Sequence, residues 1–216
     1  MAPLDSVGWL ATQPKAFRDW VERAGRWRTF ETGTFIYHAG DQSDGLYGLA
    51  EGSVQVTFPL IAKEAVIIHR AEVGFWIGDN AEFTGRPRLI SLVAGTKSKL
   101  LHLPSSAIAA HLIDVPDHWR CFYALSAMNT ATAVMHLSEA LSLTVRARMC
   151  RRLLRLTAIT HEVEITQDEL AELIGVTRAT SRRCLSDLAE QGAIELGYRK
   201  LRVLNANILK SYEDEQ

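Results

Sequence analysis

The stretch ITQDELAELIGVTRATSRRCLSDLAEQGAIEL, Ile165–Leu196, carries two helical patterns divided by a glycine. The first opens on Thr166 with Glu169 three residues later. This is a capping box, in which each side chain satisfies a free backbone N–H of the first turn. Leu170, Leu173 and Ile174 recur at helical spacing and predict the buried stripe. Gly175 ends the helix and permits a sharp turn. Thr177 is placed to cap a second helix, which runs to Gly192. Two helices joined by a short glycine turn form the unit that sets its second helix in a DNA major groove.

A rotation of about 100° per residue gathers Ser181, Cys184, Leu185 and Leu188 on one side of that second helix, which should pack inward. The opposite face presents Ala179, Arg182, Arg183 and Ser186, flanked by Arg178 and Thr180. An arginine offers guanine two parallel bonds, worth about 1–3 kcal/mol of discrimination, and a small residue such as Ala179 lets the helix come close to the base edges. Gln167, Thr177 and Thr180, at the helix starts, suit phosphate oxygens. Downstream, AIEL, GYRK and LRVLN read as two strands around a short turn whose Arg199, Lys200 and Arg202 would flank the groove. The whole chain is nearly neutral, with 24 Lys+Arg against 25 Asp+Glu, so a nucleic-acid reading must rest on local charge. From Thr144 to Lys210 there are 12 basic and 8 acidic residues. Three arginines alone would fit a solvated helix face. The capping box, the glycine turn and the hairpin weigh against that.

Working back, RARMCRRLLRL carries Arg146, Arg148, Arg151, Arg152 and Arg155, with an apolar side of Met149, Leu153, Leu154 and Leu156. Before it, Pro116–Leu143 has no glycine or proline after its start, and Asp117 can cap it. One apolar stripe is Leu125, Met128, Met135; another is Ala127, Ala131, Val134, Leu141, continuing to Val145. A helix apolar on two faces must bury both, one on its own domain and one on a partner helix. A homodimer follows as the expectation, against an ordinary core helix in a monomer.

The N-terminal half reads as a helical zone over residues 8–29, with Trp9, Leu10, Phe17, Trp20 and Val21 at helical spacing, followed by short strands. TFIYHAG, LYGLA, GSVQVTF, AVIIHRAEV, LISLVAG and KLLHLP are separated by turn residues and predict a sandwich or barrel-like β unit. No signal peptide, anchor or run of about 18 apolar residues is present, so no membrane is expected. Cys121, Cys150 and Cys184 are too scattered for a zinc or disulfide framework; buried thiols in a reducing cytoplasm are expected, a redox sensor being the alternative.

The helix–turn–helix segment resembles the winged helix-turn-helix of the Crp/Fnr superfamily of bacterial transcription regulators, close to T-x-x-E-[LI]-A-x-x-[LIV]-G-x-[ST]-R-E-T-x-[SG]-R-x-L-x-x-L. TGTFIYHAGDQSDGLYGLAEGSVQV resembles the family's β-roll opening, with Gly33, Ile36, Gly40, Asp41, Asp44, Leu46, Tyr47, Gly52 and Val54 in register. The likeness spans nearly the whole chain. It implies an α+β protein with an N-terminal double-stranded β-helix, jelly-roll-like and similar to cyclic-nucleotide-binding domains (1–115), a long dimerisation helix (116–143) and a C-terminal winged helix-turn-helix (144–216). The implied function is a cytoplasmic, sequence-specific DNA-binding regulator, not an enzyme. Its partners would be double-stranded DNA with a two-fold-symmetric operator, a second copy of the chain, and RNA polymerase. The DNA-contacting set is then Gln167, Thr177, Arg178, Ala179, Thr180, Arg182, Arg183, Arg199 and Lys200. Ala179 stands where the family carries a base-reading glutamate, which implies altered specificity at that base pair. The alternative is a non-DNA-binding module that uses the same β-roll for ligand or protein contacts.

The family's cyclic-nucleotide cassette resembles G-x-x-x-G-E-x-A-L followed by P-R-[SA]-A-x-V. Here GFWIGDNAEFTGRPRLISLVA keeps Gly74, Gly78, Ala81, Pro87 and Arg88 in register. The candidate effector residues are Gly78, Asp79, Arg88, Leu89 and Thr130. Gly78 would expose backbone N–H groups, Arg88 would fork onto a phosphate, and Asp79 fills the ribose-binding Glu position one methylene short. Leu89 replaces a small or hydroxyl residue, and Glu82 adds negative charge beside the expected anion. The long helix shows only Thr130 and Thr132 near the expected base position, estimated at Ala133–Val134. These departures disfavour a cyclic nucleotide; another small effector, or none, stays open, with Arg88 then a structural ion pair. Iron–sulfur sensing lacks clustered cysteines. Haem sensing would need an axial residue such as His69, His102 or His111. A cupin-like metalloenzyme would need an H-x-H, absent among His38, His69, His102, His111, His118, His136 and His161, so no metal or cofactor is expected.

Overall fold

The computed structural model describes residues 2–60, 63–158 and 161–215. They form two compact units, Met1–Thr132 and Ala133–Gln216. The first begins with α1 (Gly8–Ala11) and α2 (Lys15–Ala24), then β1 (Arg26–Phe30). The helical zone read over residues 8–29 is two helices ending at Ala24, and its last part is strand. Pro14 has no N–H to give and sits at the N-cap of α2, and Gly25 leaves the helix in an extended conformation.

The roll continues through β2 (Phe35–Tyr37), β3 (Gly45–Glu51), β4 (Val54–Leu60), β5 (Lys63–Ala71), β6 (Trp76–Ile77), α3 (Asp79–Thr84), β7 (Ser91–Ala94) and β8 (Ser98–Pro104). The strands pair antiparallel in two sheets, ordered β1-β8-β3-β6 and β2-β7-β4-β5. That order is a jelly roll. Strand alternation divides its core. From β3 and β8, Tyr47, Leu49 and Leu100 join Tyr37, Val54, Val56 and Leu92 in one cluster, while Leu46, Ala50, Leu101 and Leu103 meet Trp9, Phe17, Trp76 and Phe122 in another. Trp76 lies on Gly48, where an added Cβ would stand 2.3 Å from the indole.

Two helices close this unit. α4 (Ser105–Asp114) lies in a stretch whose pattern gave no helix, and a 3-10 turn (Pro116–His118) leads into α5 (Trp119–Ser142). Within the first unit, α5 buries Cys121, Phe122 and Leu125, and the Trp9 indole donates to the Cys121 carbonyl at 2.8 Å. Met128 and Met135 do not continue this stripe; they are 37% and 43% exposed. The next inward position, four residues after Leu125, is Asn129, which the polar cassette of α3 takes up. The second stripe is open: Val134 is 59% and Leu141 79% exposed, with Ala127 and Ala131 also exposed.

The second unit holds the end of α5, then α6 (Val145–Leu156), β9 (Glu162–Val163), α7 (Gln167–Ile174), α8 (Arg178–Glu190), β10 (Ile194–Gly197), β11 (Lys200–Val203) and α9 (Ala206–Tyr212). The hairpin β10–β11 takes β9 as a third strand. Thr144 caps α6, whose Ala147, Met149, Cys150 and Leu153 are buried; Leu154 and Leu156 are only half-buried. Among the described residues no helix is long and apolar enough to cross a membrane.

Candidate nucleic-acid interface and sensor cassette

The α7–α8 pair is fixed by its own caps. The Thr166 hydroxyl accepts from Glu169 N at 3.1 Å, and the Glu169 carboxylate accepts from Thr166 N at 2.7 Å. Gly175 takes φ 69° at the turn, where a side chain would be strained. Thr177 Oγ1 accepts from Thr180 N at 3.2 Å, and the two hydroxyls lie 2.9 Å apart. Ser181, Cys184, Leu185 and Leu188 are buried, as the wheel requires. Gln167, Thr177, Arg178, Ala179, Thr180, Arg182, Arg183 and Ser186 lie open or partly open together, with Arg199 and Lys200 exposed on the hairpin.

These cations are not equivalent. Arg178 lies 3.4 Å from Asp168, and Lys200 2.6 Å from Glu162, which also holds Arg202 at 3.1 Å. The hydrogen bond from Lys200 outweighs the slight desolvation and keeps the Glu162 carboxyl below its usual range. Arg182, Arg183 and Arg199 have no ion-pair partner among the described residues.

The arginines of α6 serve the fold. Arg148 donates to the Ile174 carbonyl at 2.8 Å. Arg155 Nη2 donates to both oxygens of buried Glu139 at 2.7 and 2.6 Å, and Arg151 joins at 3.3 Å. Arg151 also donates to the Glu213 carbonyl and to Asp214. Burial opposes ionisation of Glu139, but these guanidinium groups overcome it and lower its pKa. Arg152 is buried beside them, and desolvation brings it down to about 10. The arginines of α6 are therefore engaged within the fold, the exposed basic residues of this range lie on α8, the hairpin and α9, and Glu139 is a residue that sequence patterning passed over. All three cysteines are buried and unpaired, and burial pushes Cys150 up to about 12.

The cassette in the first unit is also engaged from within. Gly78 has φ 112°, and a Cβ there would approach the Gly45 carbonyl at 2.8 Å and Arg88 Nη1 at 3.1 Å. Arg88 is 3% exposed. Its Nη2 donates to Asp44 Oδ1 at 2.7 Å and the Gly45 carbonyl at 3.0 Å, and the guanidinium lies 3.8 Å over the Tyr37 ring. The Tyr47 hydroxyl donates to the other Asp44 oxygen at 2.7 Å. Partial burial works against the Asp44 carboxylate, but Tyr47, His102 and Arg88 together lower its pKa. Asp79 accepts from Asn129 Nδ2 at 2.8 Å, so α5 reaches the cassette at Asn129. Thr130 beside it is exposed, and Leu89 is 63% exposed. Glu82 accepts from Ser43 and Ser105, each at 2.6 Å. Asp44 and Asn129 are the two residues sequence reasoning missed here. Only the register of the β-roll opening touched Asp44.

The family model described as a Crp-like helix-turn-helix domain matches residues 147–212, and the cyclic nucleotide-binding domain model matches 27–113. The transcriptional regulator SdrP of Thermus thermophilus is 27% identical over 198 residues, covering 87% of this chain and 94% of that protein. The cyclic AMP receptor protein of the same organism is 27% identical over 185 residues, covering 85% and 86%. A solved CRP/FNR-family transcriptional regulator from Thermus thermophilus superposes with a TM-score of 0.74 at 24% identity, over 88% of this chain and 99% of that one. With the jelly roll, long helix and helix–turn–helix in one order and two family models on the two ends, the chain belongs to the Crp/Fnr family of DNA-binding transcription regulators.

Proposed function

We propose that this regulator acts as a homodimer that reads a two-fold-symmetric operator through α8, with Ala179, Arg182 and Arg183 at the base edges and Gln167, Thr177 and Thr180 at phosphates. The observation that carries this is that Arg182 and Arg183 are exposed, with no ion-pair partner among the described residues, on the face opposite Ser181, Cys184, Leu185 and Leu188. Arg178 and Lys200, already paired with acids, act at the edges. The open stripe Ala127, Ala131, Val134 and Leu141 of α5 supports pairing with a second copy, which would set two α8 helices about 34 Å apart on successive major grooves. The three buried thiols accord with a cytoplasmic setting, and at a promoter the bound dimer would meet RNA polymerase. Binding to a palindromic site selected from random DNA tests the reading. Arg183→Ala should weaken it about 5- to 150-fold, the equivalent of about 1–3 kcal/mol. Unchanged affinity would instead favour a module that works by protein contacts.

The β-roll does not use a cyclic nucleotide in this reading, because Asp44 and the Gly45 carbonyl hold Arg88 Nη2, Asn129 holds Asp79, and Leu89 stands where a small or hydroxyl residue is expected. Titration with cyclic AMP or cyclic GMP should give no saturable heat; stoichiometric binding would refute it.

A further inference from the structure

The wing hairpin turns through Tyr198 and Arg199, between Gly197 and Lys200, which pair across its end. Arg199 has φ 53°, in the left-handed region, and is the only non-glycine residue with a positive φ among those described. A glycine would hold this turn at lower cost, since a side chain in the left-handed region crowds the backbone. Strain of this kind gathers where a side chain serves a function. The charge pattern points the same way. Lys200 and Arg202 on the same hairpin are neutralised by Glu162 and Glu195, leaving Arg199 as the wing's unpaired cation among the described residues. Beside it Tyr198 is 94% exposed.

The tip is also placed near the helix start expected to touch phosphate. Thr166, Gln167, Tyr198, Arg199 and Lys200 rim one cleft of about 230 Å³, floored by Leu170, Leu185 and Leu201. When Gln167 meets the phosphates bordering the major groove, the next feature of the duplex beyond that backbone is the minor groove. There the narrow groove of A·T tracts concentrates negative potential, and a weakly hydrated guanidinium is the side chain suited to it.

We propose that Arg199 is a second specificity residue, which reads minor-groove shape beside the half-site and selects A·T-rich flanks. This rests on the α8 reading above. The test uses full-length protein and the site recovered by selection, with flanking base pairs made A·T, G·C or inosine·cytosine. Inosine keeps the major-groove edge of guanine but removes its minor-groove amino group. A·T and inosine·cytosine flanks should each bind about tenfold more tightly than G·C flanks, a middle value for indirect readout. In Arg199→Ala the three should agree within about twofold, and the salt slope should fall by about 0.9 for the lost phosphate-field cation. Arg199→Lys should keep the slope but lose most of the preference. Urea unfolding followed by far-ultraviolet circular dichroism, which also reads the second unit, checks that each variant keeps its fold. Flank-independent binding by the parent, or a preference that survives in Arg199→Ala, overturns the proposal while leaving α8 readout standing. Failure to recover any site removes both.

Discussion

Asp44→Ala is the substitution that most directly weighs the internal occupation of the cassette. It removes the carboxylate on Arg88 and the acceptor of the Tyr47 hydroxyl. Arg88 would keep the Gly45 carbonyl at 3.0 Å as acceptor, while its Nε and Nη1 already lack one. Stripping one partner from a fully buried ion pair costs about 3–5 kcal/mol. The side chain of Asp44 is 49% exposed, so water can follow it into the gap; with that screening the expected loss is about 2–3 kcal/mol at neutral pH. Asp44→Asn keeps an acceptor without the charge and should lose about half as much. The pair should also couple, with Arg88→Met in the Asp44→Ala background restoring about 1–2 kcal/mol. The pH dependence has a definite sign. The folded pKa of Asp44 lies below 3.8, so its contribution is complete above that value and disappears as pH falls through the lower folded pKa. The stability gap between parent and variant should therefore be flat from neutral pH to about pH 5 and close in stronger acid. Urea unfolding followed by tryptophan fluorescence measures it cleanly, because all five tryptophans lie in the first unit. A loss below about 0.5 kcal/mol, the scatter of ordinary surface changes, would show that Asp44 is not the counter-charge of Arg88.

Leu141→Asp, at a side chain 79% exposed, should convert a dimer to monomer in sedimentation experiments without lowering the protomer's secondary structure; an unchanged dimer would move the interface off this stripe. Gly48→Ala should destabilise the first unit by about 1–3 kcal/mol and shift its tryptophan emission, since the new methyl meets the Trp76 ring. Ala179→Glu should change the preferred base at one position of each half-site, read by repeating the selection, and leave the melting temperature within about 2 °C. Cys150 should resist iodoacetamide at pH 8 in the native protein and react rapidly in denaturant, as burial has raised its thiol to about 12; rapid native labelling would reopen a redox role.

The helix–turn–helix was legible because its determinants are local. Thr166 with Glu169, Gly175 and Thr177 each act within four residues, and the stripe on α8 follows from one rotation angle. The strands of the roll were legible from alternation and turn residues. α4 was not, since SSAIAAHLID is small and apolar on most sides and offers no clear stripe. β1 was hidden because RWRTF is exposed along most of its length, so it shows no buried alternation to mark the end of the helical zone. Pro14 and Gly25 were the available signals against that reading. In the cassette, Arg88 was found by register, but its counter-charge comes from 44 residues away, just before β3. The fold alone brings such polar pairs together. The same holds for Glu139, which shares a helix with the exposed apolar stripe yet turns to α6.

The division of α8 into an anchored side and an open side bears on how such a regulator changes over generations. Ser181, Cys184, Leu185 and Leu188 hold the helix in place, while the side chains of Ala179, Arg182 and Arg183 are exposed, the two arginines with no ion-pair partner among the described residues. Replacing the outward residues costs the fold little, within about 0.5 kcal/mol for surface positions. On the proposed reading of α8, duplicated genes could diverge in the promoters they address by drifting along that face, with the first unit and the long helix inherited unchanged.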